Sequence, residues 1–146
     1  MNNDKIFTLV VMKDLDQISK KFGTIGHEIA DQIIDQGAQR ISEKVLFGEI
    51  DDFEGINYSD IVLSRASHII LRIYKDNNSL MCDVRFIDNE YGRIMRNVLS
   101  RDLASDEKEK KILTKLRGYY TENGTNDDGS IIRGIKFITI DLKSRS

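Results

Sequence analysis

Short apolar runs separated by polar stretches predict alternating strands and helices along this chain. Ile6–Met12 is rich in β-branched residues and is bounded by charged residues, so we interpret it as a first strand. From Thr24 to Ser42 the apolar residues recur at steps of three and four, which predicts one helix with a single buried face. Gly37 makes formation of that helix less favourable by about 1 kcal/mol relative to alanine at the same position.

Two strand patterns follow at Ala66–Tyr74 and Leu80–Ile87, joined by the polar link Lys75–Ser79. This composition is typical of a hairpin loop, so we expect the two strands to pair antiparallel. Side chains of a strand alternate between its two faces. We expect one alternating set of the first strand to face the core: Ser67, Ile69, Leu71 and Ile73.

The second half of the chain predicts a short amphipathic helix at Tyr91–Leu103, a solvated charged stretch at Ser105–Lys111 and a second hairpin. That hairpin joins Leu116–Thr121 to Ile131–Leu142, and we expect the tail Lys143–Ser146 to be mobile. The sum is about six or seven strands with two or three helices in a single domain, 1–146. We predict an α+β domain with a mainly antiparallel, barrel-like β core.

Composition narrows the classes of function. The 146 residues are 40% hydrophobic and 32% charged, with a formal net charge of -2. The sequence has no block of Lys and Arg interleaved with aromatic residues, so nucleic-acid binding is disfavoured. The longest apolar runs fall short of the roughly 18 residues that a membrane span needs. The single cysteine, Cys82, lies in an apolar alternating run and is expected to be a buried structural thiol.

Two acidic stretches are candidates for cation binding, and neither fits a known loop. Asp51–Glu54 carries three carboxylates, but their spacing matches no calcium loop and a solvated turn explains them equally well. Asn126–Gly129 lies in a stretch where Gly124 and Ile135 stand at the positions of the first and last ligands of an EF-hand loop. We therefore predict no metal site and no cofactor.

His68 is the histidine best placed for chemistry, because it lies in the middle of a strand beside Ser67. Adjacent strand residues point to opposite faces, so we do not expect these two side chains to share a proton, and we interpret His68 as structural. His27 has no assigned role. The sequence contains no nucleophile elbow, phosphate loop, Cys-x-x-Cys or His-Glu-x-x-His motif.

Three short segments, called landmarks below, follow one another along the chain: Phe47–Phe53, Ser67–Ile70 and Gly92–Ile94. This series of segments resembles that of the prohead core proteases of large tailed bacteriophages. Those proteins are serine proteases that cleave scaffold and capsid proteins during head maturation. In that family a Leu-Gly-Glu-Leu-(Asp/Asn)-His-Pro-type motif carries the base, and a Ser-Ser-Arg-Gly-like strand carries the nucleophile. Lys115–Gly118 matches the second motif here, and Phe137–Leu142 is similar to a closing strand of the family.

The departures from the family pattern decide what the resemblance implies. Asp52 stands at the position of the catalytic histidine and Leu116 at that of the serine. Loss of such a catalytic unit costs about 10⁶ in turnover. We therefore expect a non-enzymatic virion protein, made in the host cytoplasm, that binds the major capsid protein and other head proteins as an auxiliary, decoration or minor head component. Homo-oligomerisation is compatible with this role.

Two alternatives stay open. The first is an active serine endopeptidase that uses His68 with Ser67 or Thr114. The second is an internal scaffold-associated module that regulates the genuine protease and leaves before DNA packaging. Aromatic residues are enriched at interface cores but also fill domain cores. Three of them are candidate anchors: Phe53, Tyr119 and Tyr120.

Overall fold

Six strands and two α-helices make up the parts of the chain that the computed structural model describes, namely residues 5–19, 22–50, 61–104, 112–129 and 131–144. In chain order they are β1 (Ile6–Met12), α1 (Gly26–Ser42), β2 (Phe47–Glu49), a 3-10 turn (Leu63–Arg65), β3 (Ala66–Asp76), β4 (Ser79–Phe86), α2 (Glu90–Ala104), β5 (Ile112–Thr125) and β6 (Ile131–Ser144). The predicted α+β class is confirmed, and both hairpins pair antiparallel as expected.

The strands form two separate sheets. One is four-stranded with the order β1-β4-β3-β2, and the other is the two-stranded ribbon β5-β6. An isolated parallel bridge between Ile50 and Leu142 joins the end of β2 to β6. The predicted barrel-like closure is therefore wrong for the described strands.

Side chains of α1 occupy the edge of β6 where a further strand would pair. The Gln36 amide accepts a hydrogen bond from the Phe137 N–H and donates one to the Ile135 carbonyl, both at 2.7 Å, as a strand residue would. Gln32 accepts the Ile135 N–H at 3.0 Å, and Arg40 donates to carbonyl oxygens further along β6. Because these main-chain groups already have partners, the edge cannot close a barrel.

The hydrophobic core packs the two helices against one face of the four-stranded sheet and against β6. β3 departs from the predicted alternation, because a register shift between Ile70 and Arg72 adds one residue. Such a bulge reverses the facing of the residues beyond it. As a result Ile70 and Ile73 both join the core, whereas Leu71 is only half-buried. The predicted core set of this strand is therefore only partly correct.

Both hairpins are longer than the sequence predicts. The turn between β3 and β4 is reduced to Asn77 and Asn78, and Asn77 adopts a left-handed conformation with φ of 56°, which asparagine tolerates well. In the second hairpin Lys143, which the sequence places in a tail, belongs to β6 and pairs with Leu113.

Candidate functional site

The strands β2, β3 and β6 converge on the ring of His68. Gly48 of β2 pairs with His68 of β3, and the His68 ring reaches the main chain of β6 at Ile140. A Cβ atom at Gly48 would overlap both His68 Nε2 and the Ile140 carbonyl oxygen. The glycine of the first landmark is therefore required by the close approach of the imidazole and β6.

His68 is completely buried, and its hydrogen bonds fix its tautomer. Nε2 lies 2.8 Å from the Ile140 carbonyl oxygen, which can only accept, so Nε2 carries the proton. Nδ1 is then an acceptor, and it lies 2.7 Å from the Ser67 hydroxyl, which donates to it. Burial lowers the pKa of His68 to about 4, and the hydrogen bond to Ile140 opposes this only in part. The imidazole is therefore neutral at pH 7.

The hydrogen bond between Ser67 and His68 contradicts the expectation that these neighbours cannot share a proton. Alternation along a strand fixes only the directions of the Cβ atoms. The imidazole extends far enough from its own Cβ for Nδ1 to reach the neighbouring hydroxyl. Ser67 is also completely buried, so this pair does not face solvent.

Helix α2 packs closely against this part of β3. The main-chain carbonyl of Ser67 accepts a hydrogen bond from the Ile87 N–H at 3.0 Å. A Cβ atom at Gly92 would overlap the Ile87 carbonyl oxygen and would lie 2.9 Å from that of Ser67. Gly92, the glycine of the third landmark, is therefore a site of close contact between α2 and the chain around Ser67.

A buried ion-pair network lies beside the histidine. Arg117 of β5 donates to both carboxylate oxygens of Asp141, at 2.7 and 2.9 Å, and to Glu49 at 3.1 Å. The three side chains are between 3% and 8% exposed. Burial lowers the pKa of Arg117, but the hydrogen bonds and negative charges of Asp141 and Glu49 outweigh it, and the net shift is upward. Arg117 therefore stays charged.

Glu49 extends this network to the turn that precedes β3. Its carboxylate accepts the Val62 N–H at 3.2 Å and the Arg65 Nε–H at 3.1 Å, while its own N–H donates to Asp141 at 2.9 Å. Among the described residues, two arginines thus balance two carboxylates. Because Glu49 precedes residues 51–60 and Val62 follows them, this carboxylate ties the chain before that segment to the chain after it.

The structure separates the remaining candidate residues. Leu116 lies on β5 opposite Ile140 and packs, partly buried, against the core. Thr114 donates its hydroxyl hydrogen to the Val10 carbonyl at 2.8 Å, at β1. The structure therefore brings Ser67 to His68 and engages Thr114 elsewhere.

The remaining predicted residues lie only partly within the described part of the chain. Asp52 and Phe53 lie outside the described residues, as does the side chain of Tyr120, and Tyr119 is half-buried. His27 Nε2 lies 2.8 Å from an Asp16 carboxylate oxygen. The described residues contain no group of three or more His, Cys, Asp or Glu side chains arranged to hold a metal ion.

Cys82 is buried as predicted, and this burial raises the pKa of its thiol to about 12. The thiol therefore stays protonated and unreactive at neutral pH.

Sequence reasoning missed the network of Arg117, Asp141 and Glu49. One signal was available: Asp141 interrupts the apolar run Phe137–Leu142, where a strand buried on both faces leaves a carboxylate no access to water. A charge in such a place requires a paired counter-charge. Its partner could not be identified from sequence, because Arg117 lies on a different strand.

Comparisons with known proteins show a shared fold. No family model matches the chain, and no curated protein matches it in sequence. Among solved structures it is similar to the bacteriophage T4 capsid assembly protease, with a TM-score of 0.58 and 12% sequence identity over 97% of this chain and 82% of that one. No helix in the described ranges is long and apolar enough to cross a membrane. At this identity the likeness establishes that the two chains share a fold.

Proposed function

We propose that this chain is a non-enzymatic phage head protein that uses a protease-like fold to bind the capsid. The observation that carries the proposal is the complete burial of the Ser67–His68 pair within that fold. Both residues are completely buried, the ring of His68 is hydrogen-bonded through both nitrogens, and one of those bonds goes to the main chain. A general base and its nucleophile must reach a substrate, and this arrangement serves packing instead.

The β5 strand supports the same conclusion. Leu116, at the position that the family resemblance gives to the nucleophile, has no hydroxyl and packs against the core. The neighbouring Arg117 is committed to Asp141 and Glu49. The partners under this proposal are the major capsid protein and other head proteins, bound by an auxiliary, decoration or minor head component.

Mass spectrometry of purified virions of the phage that encodes the chain tests the proposal. We expect the chain in a fixed, stoichiometric ratio to the major capsid protein. Detection in proheads together with absence from mature virions would instead support an internal scaffold-associated or protease-regulating module. Absence from both particles would overturn any role as a head component.

The 2.7 Å hydrogen bond from the Ser67 hydroxyl to His68 Nδ1 favours a second candidate, an active serine protease that uses this pair. A fluorophosphonate probe distinguishes the two functions, because it labels only an activated serine. We expect no labelling of the wild-type protein. Labelling that is lost in Ser67→Ala and retained in Ser64→Ala, which changes an exposed serine nearby, would establish the protease instead.

A further inference from the structure

The outer face of the four-stranded sheet, opposite the core, carries an ordered cluster of polar side chains. Asp83 of β4 accepts hydrogen bonds from the Thr8 hydroxyl at 2.8 Å and the Tyr74 hydroxyl at 3.0 Å. Arg72 lies 3.7 Å from the same carboxylate, and its guanidinium stacks 4.3 Å from the centre of the Tyr74 ring. These contacts fix Tyr74 and Arg72 across three neighbouring strands, although the Arg72 side chain is 65% exposed.

Apolar and positively charged groups surround this cluster on the same face. Ile6 and Val10 of β1 are 55% and 40% exposed. Arg85 pairs across the strands with Ile6, and it forms no ion pair within the part of the chain that the structure describes. Asp83 is engaged by Arg72, so no carboxylate among the described residues of this face matches the positive charge of Arg85.

These features are those of a binding surface. Tyrosine and arginine are the side chains most enriched among residues that dominate binding energy, and side chains already held in place lose less entropy on binding. Exposed aliphatic residues beside an unpaired arginine complement a segment that carries both aliphatic side chains and carboxylates. One unmatched arginine on a chain with net charge -2 falls well short of the several phosphate contacts that nucleic-acid binding requires.

Resting on the proposed function, we propose that this outer face docks an acidic, aliphatic segment of a head protein. The face is defined by Ile6, Val10, Arg72, Tyr74, Asp83 and Arg85. Arg85 pairs with a carboxylate of the partner, and Ile6 and Val10 cover its aliphatic side chains. Charge attraction at a partly exposed surface also makes the docking sensitive to salt.

Binding of the purified full chain to phage heads that lack it tests this surface. We expect Arg85→Glu to weaken binding about tenfold or more, because it places like charges together, and Arg85→Lys to retain most of the affinity. Ile6→Glu, at an exposed position, should weaken binding similarly. Arg93→Glu is the matched control, because Arg93 is an exposed arginine on α2 and should leave binding unchanged. Circular dichroism melting verifies that each variant folds.

The outcomes separate this inference from the proposed function. If the wild-type chain does not bind heads, the proposed function and the docking surface both fail. If the wild-type chain binds, but Arg85→Glu and Ile6→Glu bind as tightly as Arg93→Glu, the outer face is not the docking surface and the head function stands. If nuclease treatment of the heads abolishes binding of the chain, the ligand is DNA, and the proposal of an acidic protein partner is overturned.

Discussion

Replacing Arg117 by methionine should lower the free energy of unfolding by about 3–5 kcal/mol, the cost of removing one partner from a buried ion pair. The variant leaves the carboxylates of Glu49 and Asp141 buried beside each other without the guanidinium that now contacts both. Urea denaturation at pH 7, followed by circular dichroism, measures the change. Methionine keeps much of the apolar length of arginine. The expected fall in the free energy of unfolding therefore comes from the loss of the Arg117 charge and not from the loss of its hydrocarbon part.

A matched substitution at the surface provides the control. Arg93 pairs with Asp88 at 3.0 Å, and both side chains are more than half exposed. Arg93→Met should therefore change stability by about 1 kcal/mol or less. Adding Glu49→Gln and Asp141→Asn to Arg117→Met should recover part of the lost stability, since it removes the unpaired charges. A change below about 1 kcal/mol for Arg117→Met alone would contradict a structural role for the network.

Local features of the fold could be predicted from the sequence, whereas the arrangement of its strands into two separate sheets could not. The spacing of apolar residues from Thr24 to Ser42 predicts α1 because helical periodicity depends on neighbours along the chain. Among the described residues, the edge of β6 pairs with no further strand because Gln36 of α1 hydrogen-bonds to it, at residues about a hundred positions away in the sequence. A glutamine on a helix surface carries no sign of such a partner. The barrel prediction failed at this point.

The candidate site shows the same division. Gly48 and Gly92 were identified as landmarks through a family resemblance, and the structure supplies a steric reason for each. The hydrogen bond from Ser67 to His68 was missed, because strand alternation describes Cβ directions and not the reach of a ring. The pairing of Arg117 with Asp141 depends on the register of β5 against β6, which local patterns do not determine.

Acid should destabilise the protein through His68. The pKa of this histidine is about 4 in the folded chain and about 6.5 when exposed, so the unfolded state binds a proton first as the pH falls. The contribution of His68 is complete above pH 6.5 and is lost between pH 6.5 and 4. Each unit of pKa shift corresponds to about 1.4 kcal/mol, which gives a loss of about 3 kcal/mol across this range. Urea denaturation at several pH values measures it.

His68→Gln isolates this contribution from that of the carboxylates. Glutamine can donate to the Ile140 carbonyl but does not titrate, so the variant should be less stable than wild type at pH 7 and should lose less stability between pH 6.5 and 4. His27→Gln controls for the removal of a histidine at the surface. Parallel pH profiles for wild type and His68→Gln would show that His68 titrates alike in both states. That result would contradict the complete burial of this imidazole, on which the argument against catalysis rests, and it would strengthen the protease candidate.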